Sequence, residues 1–458
     1  MTPPADLSKL GSQEKDALIG ALFARQAELE ARLERLAAEN AELRAKLKLP
    51  PKTPDNSSLP PSRGQKASAP SAPRIKGQPH AGAHRPLHPK PTSRRDCLAS
   101  HCQHCGSDVA GVAQVACEAY DRIEMPKIEP DVTRVCLYGG TCPCCARRFK
   151  ALPPPGLEPG SPFGANLRAF VIYLRSVQGI PLERLSHVLR DLFGLAISEG
   201  ALVGVLSASR DAFARQASAI KESLKTSTVL ASDETGIRVG KANWWLWVFH
   251  HADNAVFVID RHRAKAVVGA FLGDHRPDYW VSDRYAAQMG WAKKEHQVCL
   301  AHLIRDVQYV VEAGDLVLAP ALKGLLKRAC AIGRRRPGLA DGTLHQYAAN
   351  LEKRLDTIMA RKPTAAAGVK LHTLIKKIRR HLFVFVVNRD VEPTNNGSER
   401  ALRPCAVYRK ITNGFRSEWG AALYADVRSV VETARRRSLR AIDAIRLTLH
   451  GLQLANPP

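Results

Sequence analysis

The spacing of apolar positions divides the chain into segments of different texture. Over residues 14–48, Leu22, Leu29, Leu36 and Leu43 recur every seven residues, with Ile19, Gln26, Leu33, Asn40 and Leu47 on the interleaved positions. Two such positions per heptad predict one long helix with a coiled-coil seam, and the polar Asn40 at an a-type position favours an in-register parallel dimer at some cost in stability. Residues 1–48 are therefore expected to form a coiled-coil helix. The periodicity stops at Pro50. Residues 49–99 are dominated by Pro, Ser, Gly and basic residues, a composition that buries too little apolar surface to order itself, which predicts a flexible basic linker.

Helical spacing returns over 155–222. One helix is expected at 164–178. A second opens at Pro181 and covers LERLSHVLRDLF; after a turn at Gly194, Ser198 caps a third, EGALVGVLSASRDAF. Proline in a first turn and serine at an N-cap are helix start signals. Helix, short glycine turn, helix is the helix-turn-helix arrangement, which many helical pairs share without touching DNA.

From residue 226 the pattern changes to short apolar runs rich in β-branched and aromatic residues. These predict strands at 227–233, 243–251, 255–261, 278–283 and 296–302, with a helix, AKAVVGAFLG, between the third and fourth. Residues 303–380 read as helical and basic, the apolar run Leu382–Val387 follows, and 418–454 is helical again. Arg334–Arg336, Lys376–Arg380 and Arg435–Arg437 form basic clusters, each either a solvated face or a phosphate contact.

Composition indicates the partner. The chain has 458 residues, 68 Lys+Arg against 43 Asp+Glu, and a net charge of +25. Such an imbalance points to nucleic acid first and an anionic membrane surface second. No apolar run approaches the ~18 residues that a spanning helix requires, and the N-terminal stretch lacks the layout of a signal peptide. The expectation is a cytoplasmic, nucleoid-associated protein that does not enter membranes. In an unexported chain, the eleven cysteines point to thiols and metal ligation rather than disulfides. Residues 100–150 hold Cys102-x-x-Cys105 and Cys142-x-x-Cys145. Paired knuckles of this kind close four thiolates around Zn²⁺ and add folding energy to a segment with little core. Cys144, Cys97, His101 and His104 lie close by and leave the ligand set open.

Three acids then stand out. Asp233 closes the run Thr228–Ala231, Asp283 closes Tyr279–Val281, and Glu399 opens a helix-like stretch in NNGSERALRP. A carboxylate at the carboxyl end of a strand points into the crevice where open α/β sheets bind ligands. Convergence of such groups makes a hard-oxygen site for Mg²⁺ or Mn²⁺, and in a chain this basic it implies chemistry on a phosphodiester. Each acid also has an ordinary reading: Asp233 as a strand-end residue with Glu234 its rival as ligand, Asp283 as an N-cap, and Glu399 as a charge favoured at a helix N-terminus. Asn396 and Arg400 flank the third acid as candidates to orient it or contact phosphate. His302 reads first as a packed histidine and second as a site residue.

These pieces together resemble the insertion sequence 66 family of DDE transposases over nearly the whole chain. The resemblance rests on the leucine-rich N-terminal helix, NSSLPPS at 56–62, the two knuckles, SDETG at 232–236 with the Trp-rich strand after it, DRYAAQ at 283–288, CLAHLIRD at 299–306 and NNGSERALRPCAVYRK at 395–410. Arg284 stands where the family commonly has glycine. The resemblance implies a multidomain protein: an α/β ribonuclease H-like core at 226–458 with a helical insertion at about 303–385. Ahead of the core would lie the coiled-coil helix, the zinc module and the helix-turn-helix-like domain. It implies the triad Asp233, Asp283 and Glu399, with Asp233 bridging two Mg²⁺ or Mn²⁺ ions, Asp283 holding one and Glu399 the other. The implied activity is cleavage and joining of double-stranded DNA at element ends and target, by a dimer or higher assembly, with accessory proteins of the same element as further partners. A nuclease without joining activity, or a DNA-binding regulator or decayed transposase, are the alternatives.

Overall fold

The structure, a computed structural model, describes residues 11–47, 49–57 and 85–454. Helix α1 spans Ser12–Leu47. Its seam residues Ile19, Leu22, Leu29, Leu33 and Leu36 are all exposed, while Leu43 and Leu47 lie outside the residues whose side chains are described. The linker departs from expectation at its start, because Asn56 and Ser57 are buried. The Asn56 side chain accepts from Thr53 N at 2.7 Å and donates to Pro51 O at 3.0 Å and to Glu312 Oε2 at 2.5 Å. A turn satisfied by its own side chain docks without needing a core, which composition alone does not reveal. Strands β1 (Gly139–Thr141) and β2 (Arg148–Lys150) form a small antiparallel hairpin.

The helices are α2 (Ala165–Ile172), α3 (Leu182–Phe193), α4 (Glu199–Ala208) and α5 (Arg210–Lys225); the first expected helix finishes as a π turn over Tyr173–Val177, and the third is broken at Ser209 into α4 and α5. Pro181 precedes α3, Gly194 closes it at φ 66°, and Ser198 Oγ accepts from Ala201 N at 3.2 Å to cap α4. The buried side chains of these helices fall into two clusters. Leu185, Leu189, Ile197 and Leu202 form a small cluster of their own. Ala169 and Ile172 of α2 and Phe213, Ile220 and Leu224 of α5 are instead buried with sheet residues Leu230, Trp247 and Trp280. The apolar stripe of α5 needs a partner surface, and the sheet is the one it meets.

The sheet consists of β3 (Val229–Val239), β4 (Ala242–His251), β5 (Asn254–Asp260), β6 (Tyr279–Ser282) and β7 (Glu295–Val298) in the order β5-β4-β3-β6-β7. The first three are antiparallel neighbours, and β6 and β7 run parallel to β3. Helix α6 (Lys265–Leu272) makes the crossover to β6. Both faces are covered: Trp247 and Phe249 pack to one side and Leu246 and Val248 to the other, so the middle of β4, Trp244–Phe249, is a continuous apolar run instead of alternating with polar residues.

Beyond β7 come α7 (Leu300–Glu312), α8 (Leu318–Arg335), α9 (Asp341–Met359), α10 (Ala366–Ile378) and the single turn α11 (Val384–Val387). Their core, including Leu303, Leu326, Leu351 and Ile375, is continuous with Val281 and Val298 of the sheet. The strand expected at 296–302 ends at Val298, because β6 ends at Ser282 and Leu300, Leu303, Val307 and Val310 bury one helical face. Helices α12 (Asn396–Thr412), α13 (Glu418–Arg436) and α14 (Ala441–Leu449) complete the chain. Helix α13 covers the edge strand: Ser429 Oγ accepts from Phe257 N at 2.8 Å and Thr433 Oγ1 from Ala255 N at 3.1 Å. The hydroxyls thereby occupy backbone donors that an open edge would offer to another strand.

Individual arginines in two of the basic clusters have structural partners, while Arg334, Arg335 and Arg435 are exposed. The Arg336 guanidinium is buried and donates to the carbonyls of Phe385, Asn388 and Val391 at 2.7, 3.1 and 2.5 Å. Arg435 and Arg436 converge on the buried Glu432. Lys376 and Lys377 stay exposed.

Candidate active site

Strand register brings Asp233 and Asp283 level. The parallel pairing of β3 with β6 ends at Ala231 and Val281, and each aspartate lies two residues beyond its last paired residue. With side chains alternating at period two, both emerge on the same face. Strand β3 does not end at Asp233, as expected from the sequence, but continues to Val239 in its hairpin with β4. What ends there is the pairing with β6, and that opening is the crevice.

The third acid arrives on α12, which crosses β3 and β4. Asn395, at the head of the helix, fixes its first turn: its Nδ2 donates to Ser232 O at 2.9 Å, its N–H to Cys299 Sγ at 3.1 Å, and its Oδ1 accepts from Ser398 Oγ at 2.7 Å. Ser398 in turn meets His250 Nε2 at 2.9 Å. Gly397 permits this approach, since a Cβ there would stand 3.0 Å from His250 Cε1. Glu399 is thereby held one turn above the peptide before Asp233. The positioning residue is Asn395, which the sequence reading did not single out, whereas Asn396 and Arg400 are exposed; the preference for Asn at a helix N-cap is the signal that could have pointed to it.

His302, on the first turn of α7, joins two of the acids. Its Nδ1 lies 2.8 Å from Asp283 Oδ1 and its Nε2 3.6 Å from Glu399 Oε1. Burial works against its protonation, but hydrogen bonds to Asp283 and Cys299 win and raise the imidazole to about 10. The ring is therefore a cation between carboxylates, a role that an isolated histidine in CLAH does not announce. Among the described residues, Asp283, Cys299 and His302 each offer a ligand atom within 4.8 Å of the other two.

Glu234 is removed from contention as an open ligand. Its Oε1 is 2.6 Å from Arg263 Nη2, its Oε2 accepts from Gln288 Nε2, and its side chain is almost wholly buried. Burial raises its carboxyl, and Arg263 and Gln288 oppose that shift. Arg263 is itself held over the rings of Tyr285 and Trp245, at 4.1 and 4.8 Å. Ser232 extends the network, accepting from Trp280 Nε1 at 2.9 Å and donating to Gln288 Oε1 at 2.6 Å. Arg284 pairs with Asp306 of α7, so this guanidinium turns away from the acids.

The electrostatics of the acids show crowding. Burial, then the negative charges of Asp283 and Glu234 and, less strongly, Glu399, push the Asp233 carboxyl well above the ordinary range, while the Glu234 N–H on its Oδ1 pulls the other way. Glu399 Oε1 is buried and has no hydrogen-bond partner. Carboxylates that repel one another and leave a lone pair unmatched suit an added divalent cation, but among the described residues the three acids do not gather as a group of ligand atoms within 4.8 Å.

A family model described as the IS66 transposase family matches residues 160–423. That is more than half of the chain. The chain belongs to the IS66 family of transposases. The matched stretch holds Asp233, Asp283, His302 and Glu399 and excludes α1 and both cysteine knuckles. No curated protein matches the chain. Membership makes this transposase a nucleic-acid-processing enzyme, and no helix among the described residues is long and apolar enough to cross a membrane.

The two knuckles of the transposase fold alike. Cys102 N donates to Ser107 O at 2.9 Å and Gly106 N to Cys102 O at 2.8 Å; Cys142 N donates to Arg147 O at 2.8 Å and Ala146 N to Cys142 O at 2.9 Å. Gly106 and Ala146 both take positive φ, 76° and 55°. The bridge His101–Asp108 around the first turn matches the pair Thr141–Arg148 around the second. Hydrogen bonds from Ser107 lower the Cys105 thiol, and backbone donors at Cys145 and Cys144 lower that of Cys142. Among the described residues, the sulfurs of the two knuckles do not form a three-ligand group within 4.8 Å.

Proposed function

We propose that this transposase cuts DNA at the ends of its own element and joins those ends to a target, with Asp233, Asp283 and Glu399 holding Mg²⁺ or Mn²⁺. The observation that carries the reading is that the β3–β6 register sets Asp233 and Asp283 level, while His302 links Asp283 to Glu399 on α12. The strand order β5-β4-β3-β6-β7 supports a ribonuclease H-like core. Bound divalent ions would supply Lewis acidity and charge neutralisation at a phosphodiester. The chain's own part is to hold the three carboxylates in place: Asn395 anchors α12, His302 spans Asp283 and Glu399, and Arg263 with Gln288 keeps Glu234 out of the cluster. No protein nucleophile enters this reading.

The matching turns and lowered thiols support Zn²⁺ on Cys102, Cys105, Cys142 and Cys145, with the knuckles closing around the ion as it binds. The exposed leucine seam of α1 supports self-association as a dimer or higher assembly. Double-stranded DNA is the partner, with α3–α4 and the basic surface as its contacts, and accessory proteins of the element as further partners. A strand-transfer assay with terminal-repeat DNA and Mg²⁺ tests the reading. Joined products support it, cleavage alone indicates a nuclease, and binding alone a regulator.

A further inference from the structure

The donor set around Asp283 is softer than phosphodiester chemistry on Mg²⁺ requires. Cys299 heads α7 and His302 lies three residues on, so both side chains rise from one side of the same helical turn. Both face Asp283 at the end of β6, and their ligand atoms and a carboxylate oxygen lie within 4.8 Å of one another. Bonds of ~2.0–2.3 Å to a tetrahedral ion need ligand atoms gathered on that scale. The thiol is buried and the ring is within hydrogen-bond reach of it. Carboxylate and water suit Mg²⁺, whereas thiolate and imidazole select Zn²⁺ and other thiophilic ions.

We propose that Asp283, Cys299 and His302 form a second metal site, for a thiophilic divalent ion such as Zn²⁺, which shares Asp283 with the catalytic carboxylates. Binding replaces the Asp283–His302 hydrogen bond and releases the thiol proton and the proton on His302 Nδ1. The regulatory consequence rests on the function proposed above. An ion on this site takes a carboxylate oxygen of Asp283 and sets a double positive charge beside Asp233 and Glu399. Zn²⁺ and Mg²⁺ therefore oppose one another, and excess Zn²⁺ stops DNA cleavage at a place remote from the cysteine knuckles.

The test uses the full chain with Co²⁺ as an absorbing substitute for Zn²⁺, comparing wild type with Cys299→Ser. The knuckles contribute their own thiolate–Co²⁺ absorption to both proteins, so the difference between the two is read. The expected result is one more Co²⁺ per chain in the wild type and a thiolate-to-Co²⁺ band in the difference spectrum. Equal uptake with a flat difference spectrum overturns the site. Should Cys299→Ser fail to fold, wild-type crystals soaked in Zn²⁺ decide: an anomalous peak between Cys299 Sγ and His302 Nδ1 supports the site, and its absence there overturns it. DNA cleavage at fixed Mg²⁺ then reads the consequence, with half-inhibition by Zn²⁺ expected to need about tenfold more ion in Cys299→Ser, each protein normalised to its own zinc-free rate. Metal uptake without DNA cleavage by either protein sinks the proposed function and leaves the site. Cleavage without the extra Co²⁺ sinks only the site.

Discussion

The imidazole of His302 spans two carboxylates, with Nδ1 2.8 Å from Asp283 Oδ1 and Nε2 3.6 Å from Glu399 Oε1. One acid comes from the end of a strand and the other from a helix more than a hundred residues later in the chain. The ring ties their relative position together.

His302→Ala is therefore expected to lower Mg²⁺-dependent strand cleavage by about 10–100-fold with the fold retained. His302→Gln, which keeps one polar contact, should recover part of that loss. Initial rates at saturating Mg²⁺ check this, and an unchanged rate for the alanine variant would make the contact idle.

Asp233→Asn removes the acid that burial and its acidic neighbours push well above its ordinary range. Cleavage and joining should disappear while DNA binding stays. Relief of like-charge repulsion should raise the melting temperature in chelator, and the stabilisation that Mg²⁺ gives the wild type should vanish. Joined products from this variant would sink the metal-site assignment.

Arginines and lysines of the basic clusters should separate by role. Arg336→Met leaves three carbonyls without their donor, those of Phe385 and Val391 in buried hydrogen bonds, and a loss of about 3 kcal/mol is expected in urea denaturation. Lys376→Gln and Lys377→Gln, on an exposed face, should leave stability within about 0.5 kcal/mol. We hypothesise that they touch phosphate, so each should flatten the salt dependence of DNA affinity by about one unit of slope. A slope equal to the wild type's would assign that face to solvent.

Asp426 supplies a pH signature. Burial raises its carboxyl to about 6. The folded state then holds a proton that the unfolded state has lost between about pH 4 and 6, so this residue costs stability as pH rises through that window. At about 1.4 kcal/mol per unit, Asp426→Asn should stabilise by about 2–3 kcal/mol above pH 6 and by nothing below about pH 4. Urea midpoints across that range provide the measurement, and a gain independent of pH would contradict it.

Asn56→Ala should free the turn at 49–57 from α7 by removing the hydrogen bonds to Glu312 and Pro51. Limited proteolysis within that stretch is expected to accelerate, while global stability falls by only about 1 kcal/mol. Unaltered cleavage kinetics would show that the turn is held by other contacts.

Much of the local structure was legible. Pro181, Gly194 and Ser198 placed α3 and α4 because caps act over a single turn, and the β-branched and aromatic runs marked all five strands of the sheet. Boundaries failed where a partner elsewhere decided them. Val298 ends β7 because β6 stops at Ser282, and α5 joins the sheet's core because its apolar stripe meets Trp247 and Trp280. Arg336 and Asn56 were read from their basic and polar neighbourhoods, whereas carbonyls and a carboxylate far along the chain determine where they sit.

The sequence by itself determined the elements, the family resemblance and the kinds of side chain available for chemistry, since these follow from short-range spacing and residue type. Only the tertiary structure decided that Asp233 and Asp283 stand level, that Glu234 is occupied by Arg263 and Gln288, and that His302 and Asn395 organise the acids. Those outcomes depend on parallel register and helix packing between residues 19 to 163 positions apart. Such contacts leave no periodic trace in the chain that makes them.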